Sequence, residues 1–206
     1  MKKLVILAAA LLVGIQANAQ LLLNGNFNLA LETSKYGELG SHNGNLFGLA
    51  VGATYYYSLD NVTDGLAILP GANLSSLIGN HTLVDNAKLT EVSLNVPIHL
   101  GYTYEISDYV KLFGQTGPVF QLGLTSKVKT TGATYSLYNK KNDLGEVRNR
   151  FNMYWGIAVG AELNDLLRVH VGVDLGLLNR ASSDNLALTK LSRNTFVFGV
   201  AYLFGR

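Results

Sequence analysis

Seven stretches of the chain alternate apolar and polar side chains with a period of two, and in each the apolar register carries no charge. That period is the spacing of a β-strand, whose successive side chains point to opposite faces. Residues 23–31 set Leu23, Phe27, Leu29 and Leu31 against Asn24, Asn26 and Asn28; residues 47–57 set Phe47, Leu49, Val51, Tyr55 and Tyr57 against Gly48, Ala50, Gly52 and Thr54. Residues 89–106 give Val92, Leu94, Val96, Ile98, Leu100, Tyr102 and Tyr104 against Glu91, Ser93, Asn95, Pro97, His99 and Thr103. Residues 110–124, 151–163, 168–177 and 195–204 repeat the pattern. An even antiparallel ring needs one more strand. Residues 66–74 supply it, although their alternation is poor and Pro70 lacks the amide that a ladder uses.

The predicted connections alternate in length along the chain. They are long at 32–45, 75–88, 127–150 and 178–193, and short near 58–65, 105–109 and 164–167. Short turns at one rim and long polar loops at the other are the habit of outer-membrane barrels. Polarity identifies the medium. In a small closed barrel the inward side is packed and the outward side meets solvent. Here Gly, Ala, Asn, Gln and a few charges look inward while Leu, Val, Ile and aromatics look outward, the reverse of a soluble ligand-carrying barrel. The expected fold is therefore all-β, an eight-stranded antiparallel transmembrane up-and-down β-barrel, with the outer-membrane lipid bilayer as its surroundings and both termini on the periplasmic side.

Aromatic residues collect where one end of a ring is dry and the other wet. Tyr57, Tyr104, Tyr109, Tyr202 and Phe204 fall near the short-turn rim, and Phe47, Phe151, Trp155, Phe196 and Phe198 toward the long-loop rim, so two interfacial girdles are predicted. Pro97 and Pro118 lie inside predicted strands, where a missing amide implies bulges or local breaks in pairing.

The first residues, MKKLVILAAALLVGIQANAQ, have two lysines, an apolar run from Leu4 to Ile15 and the small-residue site Ala17-Asn18-Ala19. That is the form of a cleaved secretory signal over residues 1–19, followed by one barrel domain over 20–206. Without Lys2 and Lys3, basic and acidic residues number 14 each, and nothing steers the barrel toward nucleic acid. The absence of cysteine excludes a disulfide framework.

The Val96-Pro97 step within a strand, Gly117-Pro118, FNMYWGIAVGAEL, RVHVGVDLGL and the terminal TFVFGVAYLF resemble the PorT-type outer-membrane β-barrel family common in Bacteroidota. The resemblance covers most of the chain beyond the leader. It implies an eight-stranded outer-membrane barrel, with some relatives tied to protein secretion or gliding. The chain departs from a terminal aromatic signal in ending FGR, with Phe204 two residues from the end.

Interior charges are few. Partner residues in an antiparallel hairpin share a face, so the turn joining residues 163 and 168 must be odd. With three residues Glu162 faces Arg168; with five it faces His170. Asp174 lies farther along the same strand, and Glu91, His99 and Lys111 are placed to join this candidate polar network across the lumen. A carboxylate–histidine network suits a proton relay or narrow polar pathway. A plug of paired side chains is the expectation, because eight strands leave an interior just wide enough for side chains to fill.

No phosphate loop, nucleophile elbow or metal-ligand pattern occurs, and the outward registers offer Thr90 and Thr116 without a His, Asp or Glu beside them. The chain is expected to be a monomeric, non-enzymatic, cofactor-free envelope scaffold, meeting envelope or secretion partners through its long extracellular loops. Passive transport of a small solute is the alternative.

Overall fold

The computed structural model describes residues 19–37, 40–80, 87–138, 147–182 and 188–204. Among the described residues nine strands form: β1 (Ala19–Tyr36), β2 (Gly40–Ser58), β3 (Leu66–Asn80), β4 (Lys88–Ser107), β5 (Val110–Lys129), β6 (Thr134–Ser136), β7 (Phe151–Leu163), β8 (Leu167–Gly176) and β9 (Leu188–Phe204). Eight of them close a ring in the order β4-β3-β2-β1-β9-β8-β7-β5, with β5 returning to β4. All neighbours are antiparallel, and the ends of the chain meet where β1 pairs β9 through Leu21↔Phe204. The ninth, β6, pairs only with the far end of β5. The leader assigned to residues 1–19 lies, apart from Ala19, outside the described residues.

The predicted faces hold throughout the apolar band. Leu23, Phe27, Leu49, Val51, Ile98, Leu100, Val159, Val171 and Phe198 are exposed on the outer wall, while Asn28, Ala50, Ser93, Gln121, Tyr154 and Ala201 are buried inside. The weakest predicted strand, at 66–74, forms and runs on to Asn80. Pro70 points outward there, and the β3–β4 ladder lapses between Pro70↔Ile98 and Asn73↔Asn95 without changing register. The β4–β5 ladder lapses likewise between Pro97↔Val119 and Leu100↔Thr116. Here Gly117 lies so close to the Ile98 carbonyl that a Cβ would collide with it. These are the pairing breaks expected of internal prolines.

The loops at the long rim need correction. β1 and β2 remain paired up to Tyr36↔Gly40, so most of the loop assigned to 32–45 is strand. β4 and β5 each run 20 residues, about twice the 9–11 that cross a bilayer. The strands overrun the band because their polarity reverses instead of stopping. Above Leu31, Phe47, Val92, Leu124 and Phe196, the outward positions become Lys35, Ser41, Asn43, Lys88, Lys127, Lys129, Lys190 and Ser192. The inward positions there include Ala30, Leu46, Leu77, Leu89 and Val128, which pack with Leu137 into one buried cluster. A search for charge-free apolar registers ends at that boundary, although the backbone ladder does not. Of the loop at 127–150, residues 139–146, including Lys140-Lys141-Asn142-Asp143, lie outside the described residues.

Candidate functional site

Three tiers occupy the lumen. At the periplasmic end, the β7–β8 turn has the three-residue form. Leu163 pairs with Leu167, and Asn164 and Asp165 take left-handed φ values of 51° and 56°, a conformation Asn and Asp tolerate better than most residues. This places Glu162 opposite Arg168, whose Nε and Nη2 donate to Glu162 Oε2 at 2.7 and 2.6 Å. The guanidinium is also sandwiched 4.7 Å from the ring centres of both Tyr56 and Phe113. Lys111 on β5 is the cross-strand neighbour of Glu162, and its ammonium contacts Asp165 at 2.8 Å and Glu105 at 3.5 Å toward the rim.

The middle tier is a chamber of about 100 Å³ lined in part by Asn24, Asn95, His99, Gln115, His170 and Asp174. His99 Nε2 is buried without a hydrogen-bond partner. His170 stands opposite Gly160 in the ladder, so the five-residue turn that would have set it against Glu162 is excluded.

The tier at the long-loop end is a buried ion cluster. Glu91 from β4 and Glu32 from β1 meet Arg193 from β9 and two arginines from outside the barrel strands, Arg148 and Arg180. Arg193 bridges both carboxylates, at 2.7 Å to Glu91 and 2.6 Å to Glu32. Arg148 reaches Glu32 at 2.6 Å and Glu91 at 3.4 Å, and Arg180 reaches Glu91 at 3.0 Å. Tyr138 closes the cluster by accepting from Arg180 at 3.1 Å. Its ring needs Gly123 beneath it, since a Cβ there would overlap the phenol. Burial, and next the Glu91 carboxylate, raise the Tyr138 phenol above its ordinary value, so it stays neutral. Burial alone would lower the Arg180 guanidinium, but Glu91 outweighs it and the net shift is upward. Two carboxylates and three guanidiniums are thus held charged and out of water, a state that persists only with close pairing.

The seven predicted network residues therefore fall in separate places. Glu162 and Arg168 are paired, with Lys111 beside Glu162 in the ladder; His99, His170 and Asp174 share the chamber; and Glu91 belongs to the distant cluster. Glu32 and Arg193 escaped prediction because residues 32 and 193 were assigned to loops. Extending the inward registers Asn28, Ala30 and Val197, Thr195 by one step each would have reached them. Arg148 and Arg180 carried no periodic signal. They are brought in by hairpin returns such as Asn149 N–H to Arg180 O at 2.8 Å and Arg180 N–H to Leu191 O at 2.8 Å.

The aromatics assigned to two girdles all lie on the outer wall, although Phe198, opposite Phe27 and Val171, sits well inside the apolar band instead of at a rim. Phe47 and Phe196 both pair with Leu29, Phe198 pairs with Phe27, and Trp155 stands beside Leu175. At the other rim Tyr57, Tyr104, Tyr109, Tyr202 and Phe204 are all exposed. On the comparison side, the model of the family described as outer membrane protein beta-barrel domain matches residues 5–204. The chain belongs to that family. As a member of it, this barrel resides in the outer membrane, with the apolar band in lipid. Neisserial surface protein A has the same fold, with 12% identity, 91% of this chain and 100% of that chain covered, and a TM-score of 0.53. Ail, the attachment invasion locus protein of Yersinia pestis, aligns at 12% identity over 91% of this chain and 100% of that one, with a TM-score of 0.47. The outer membrane enzyme PagL aligns at 12% identity over 87% and 99%, with a TM-score of 0.42. No curated protein matches the chain in sequence.

Proposed function

We propose that this outer-membrane barrel is a closed, non-enzymatic scaffold whose water-facing extracellular stem is its working surface for envelope partners. One observation carries the proposal. The lumen is obstructed by buried ion pairs at both ends, Glu162–Arg168 below and the Glu32/Glu91/Arg148/Arg180/Arg193 cluster above, while the wall continues beyond the bilayer as paired strand. Paired strands present a surface of fixed shape, which suits recognition better than a freely moving loop does. The outward hydroxyl of Thr116 supports the non-enzymatic reading, because it accepts from Trp155 Nε1 at 2.9 Å and donates to the Gly156 carbonyl at 3.0 Å, leaving no base to activate it.

Membership of the PorT-type subset, and with it a place beside secretion machinery, is the finer form of the proposal. Crosslinking in native envelopes tests it: recovery of secretion components supports the secretion role, and recovery of none removes it. The second reading, passive transport, is favoured by the central chamber and by a vestibule of about 460 Å³ that leads to Glu162–Arg168 from the periplasmic rim. Planar-bilayer recordings separate the two. The scaffold gives no reproducible openings, and regular unitary steps from the wild-type protein would establish the channel.

A further inference from the structure

We propose that Lys88, Lys127 and Lys129 form a binding site for the phosphate groups of outer-leaflet glycolipid headgroups. Lys88 and Lys129 are cross-strand partners on the β4–β5 outer wall, and Lys127 follows one row below, opposite Thr90. All three are exposed. Cross-strand partners hold their Cβ atoms about 5 Å apart, and like charges so placed destabilise a sheet. Among the described residues no carboxylate offsets this repulsion, and an anion outside the protein is the partner the arrangement suits.

The surroundings identify that anion. Val92 and Leu124 lie directly below the lysines at the top of the apolar band, so the ammonium groups stand at headgroup depth. An acyl chain lying on Val92, Leu94 and Leu124 would bring its own headgroup phosphate to them. Among the described residues, no carboxylate stands on the outer wall of this half; Glu32 and Glu91 are both inside. Among the described residues the opposite rim carries the reverse charge: Asp60, Asp64, Glu105 and Asp108 are exposed there, and the half-buried Lys111 is paired with Asp165 and Glu105. A second lysine pair, Lys35↔Lys190, repeats the motif higher on the β1–β9 wall.

The test places folded full-length barrel, verified by heat-modifiable migration, in phosphatidylcholine nanodiscs containing bisphosphorylated lipid A or the same lipid dephosphorylated. Only the phosphorylated lipid should co-purify with the protein and raise its unfolding temperature. At about a fivefold effect per lysine, K88S/K127S/K129S should weaken binding roughly 100-fold, and K88R/K127R/K129R should retain it. Added salt should weaken the wild-type interaction. Equal retention by the serine variant, or equal stabilisation by dephosphorylated lipid, would overturn the proposal. So would the same stabilisation from inorganic phosphate or a soluble sulfated polysaccharide alone, which would make the site one for free anions.

Discussion

The lower and upper halves of this barrel share the same strands and have opposite cross-sections. Below the level of Leu31 and Phe196 the wall is apolar outside and Asn-, Gln- and His-lined inside. Above it, lysine and asparagine face outward, and Ala30, Leu46, Leu77 and Leu89 pack inside around buried ion pairs. Strand pairing is indifferent to the medium, since every amide finds its partner in the neighbouring strand whether lipid or water lies outside. The side chains report the medium. Hydrocarbon touches the lower wall, so the larger buried hydrophobic cluster lies in the upper half, where water surrounds the barrel, and the lower half keeps a smaller one of Leu22, Ala201 and Leu203 near its end. Between the two clusters the lumen holds hydrogen-bonded polar groups, as where Gln121 Nε2 donates to Ser93 and Asn95 at 3.1 Å each.

The comparison breaks most severely at the ion cluster. Glu91→Ala leaves Arg180 and Arg193 without their shared carboxylate, and removal of one partner from a buried pair costs about 3–5 kcal/mol. Urea unfolding in detergent micelles should record that loss, with the upper half failing first. Next comes the apolar layer. Leu89 is 1% exposed inside the stem, so Leu89→Ala should cost about 2–5 kcal/mol, whereas Leu49→Ala on the lipid-facing wall, at 64% exposed, should cost far less in the same micelles.

The lower wall gives the third contrast. Val171→Arg near the bilayer midplane should cost about 2–4 kcal/mol in lipid vesicles, while Asn43→Arg on the water-facing wall should change stability by less than about 0.5 kcal/mol. Equal costs at the two sites would erase the distinction between the halves. The smallest effect is a gain. Lys35→Glu sets a carboxylate opposite Lys190 and should stabilise by about 0.2–1 kcal/mol, detectable as a small rise in unfolding temperature that salt suppresses.

The same contrast explains what the sequence made legible. The membrane-embedded half was read strand by strand, down to the outward run Phe196, Phe198, Val200, Tyr202, because a lipid-facing register admits no charge and so stands out. Turn parity narrowed the partner of Glu162 to Arg168 or His170, and the three-residue turn selects Arg168. The stem was mistaken for loops because Lys35, Asn43 and Lys129 look like loop residues unless their inward neighbours are read with them. Pro70 disguised a strand whose ladder simply lapses beside it. Arg148 and Arg180 were beyond reach for a different reason: they enter the lumen from irregular segments, and only tertiary contacts between residues 89 positions apart, as in Arg180–Glu91, place them.

The change of medium along one strand can be measured directly, because the chain has no cysteine and single reporters can be introduced cleanly. Spin labels on Leu23→Cys, Phe27→Cys, Leu31→Cys and Lys35→Cys would sample the outward register of β1 in lipid vesicles, with Asn28→Cys as an inward reference. Labels at 23 and 27 should be open to oxygen and shielded from an aqueous nickel reagent, with the preference reversing between 31 and 35 and neither reagent reaching 28 freely. Nickel accessibility at 27 equal to that at 35, or greater oxygen exposure at 28 than at 27, would contradict the account.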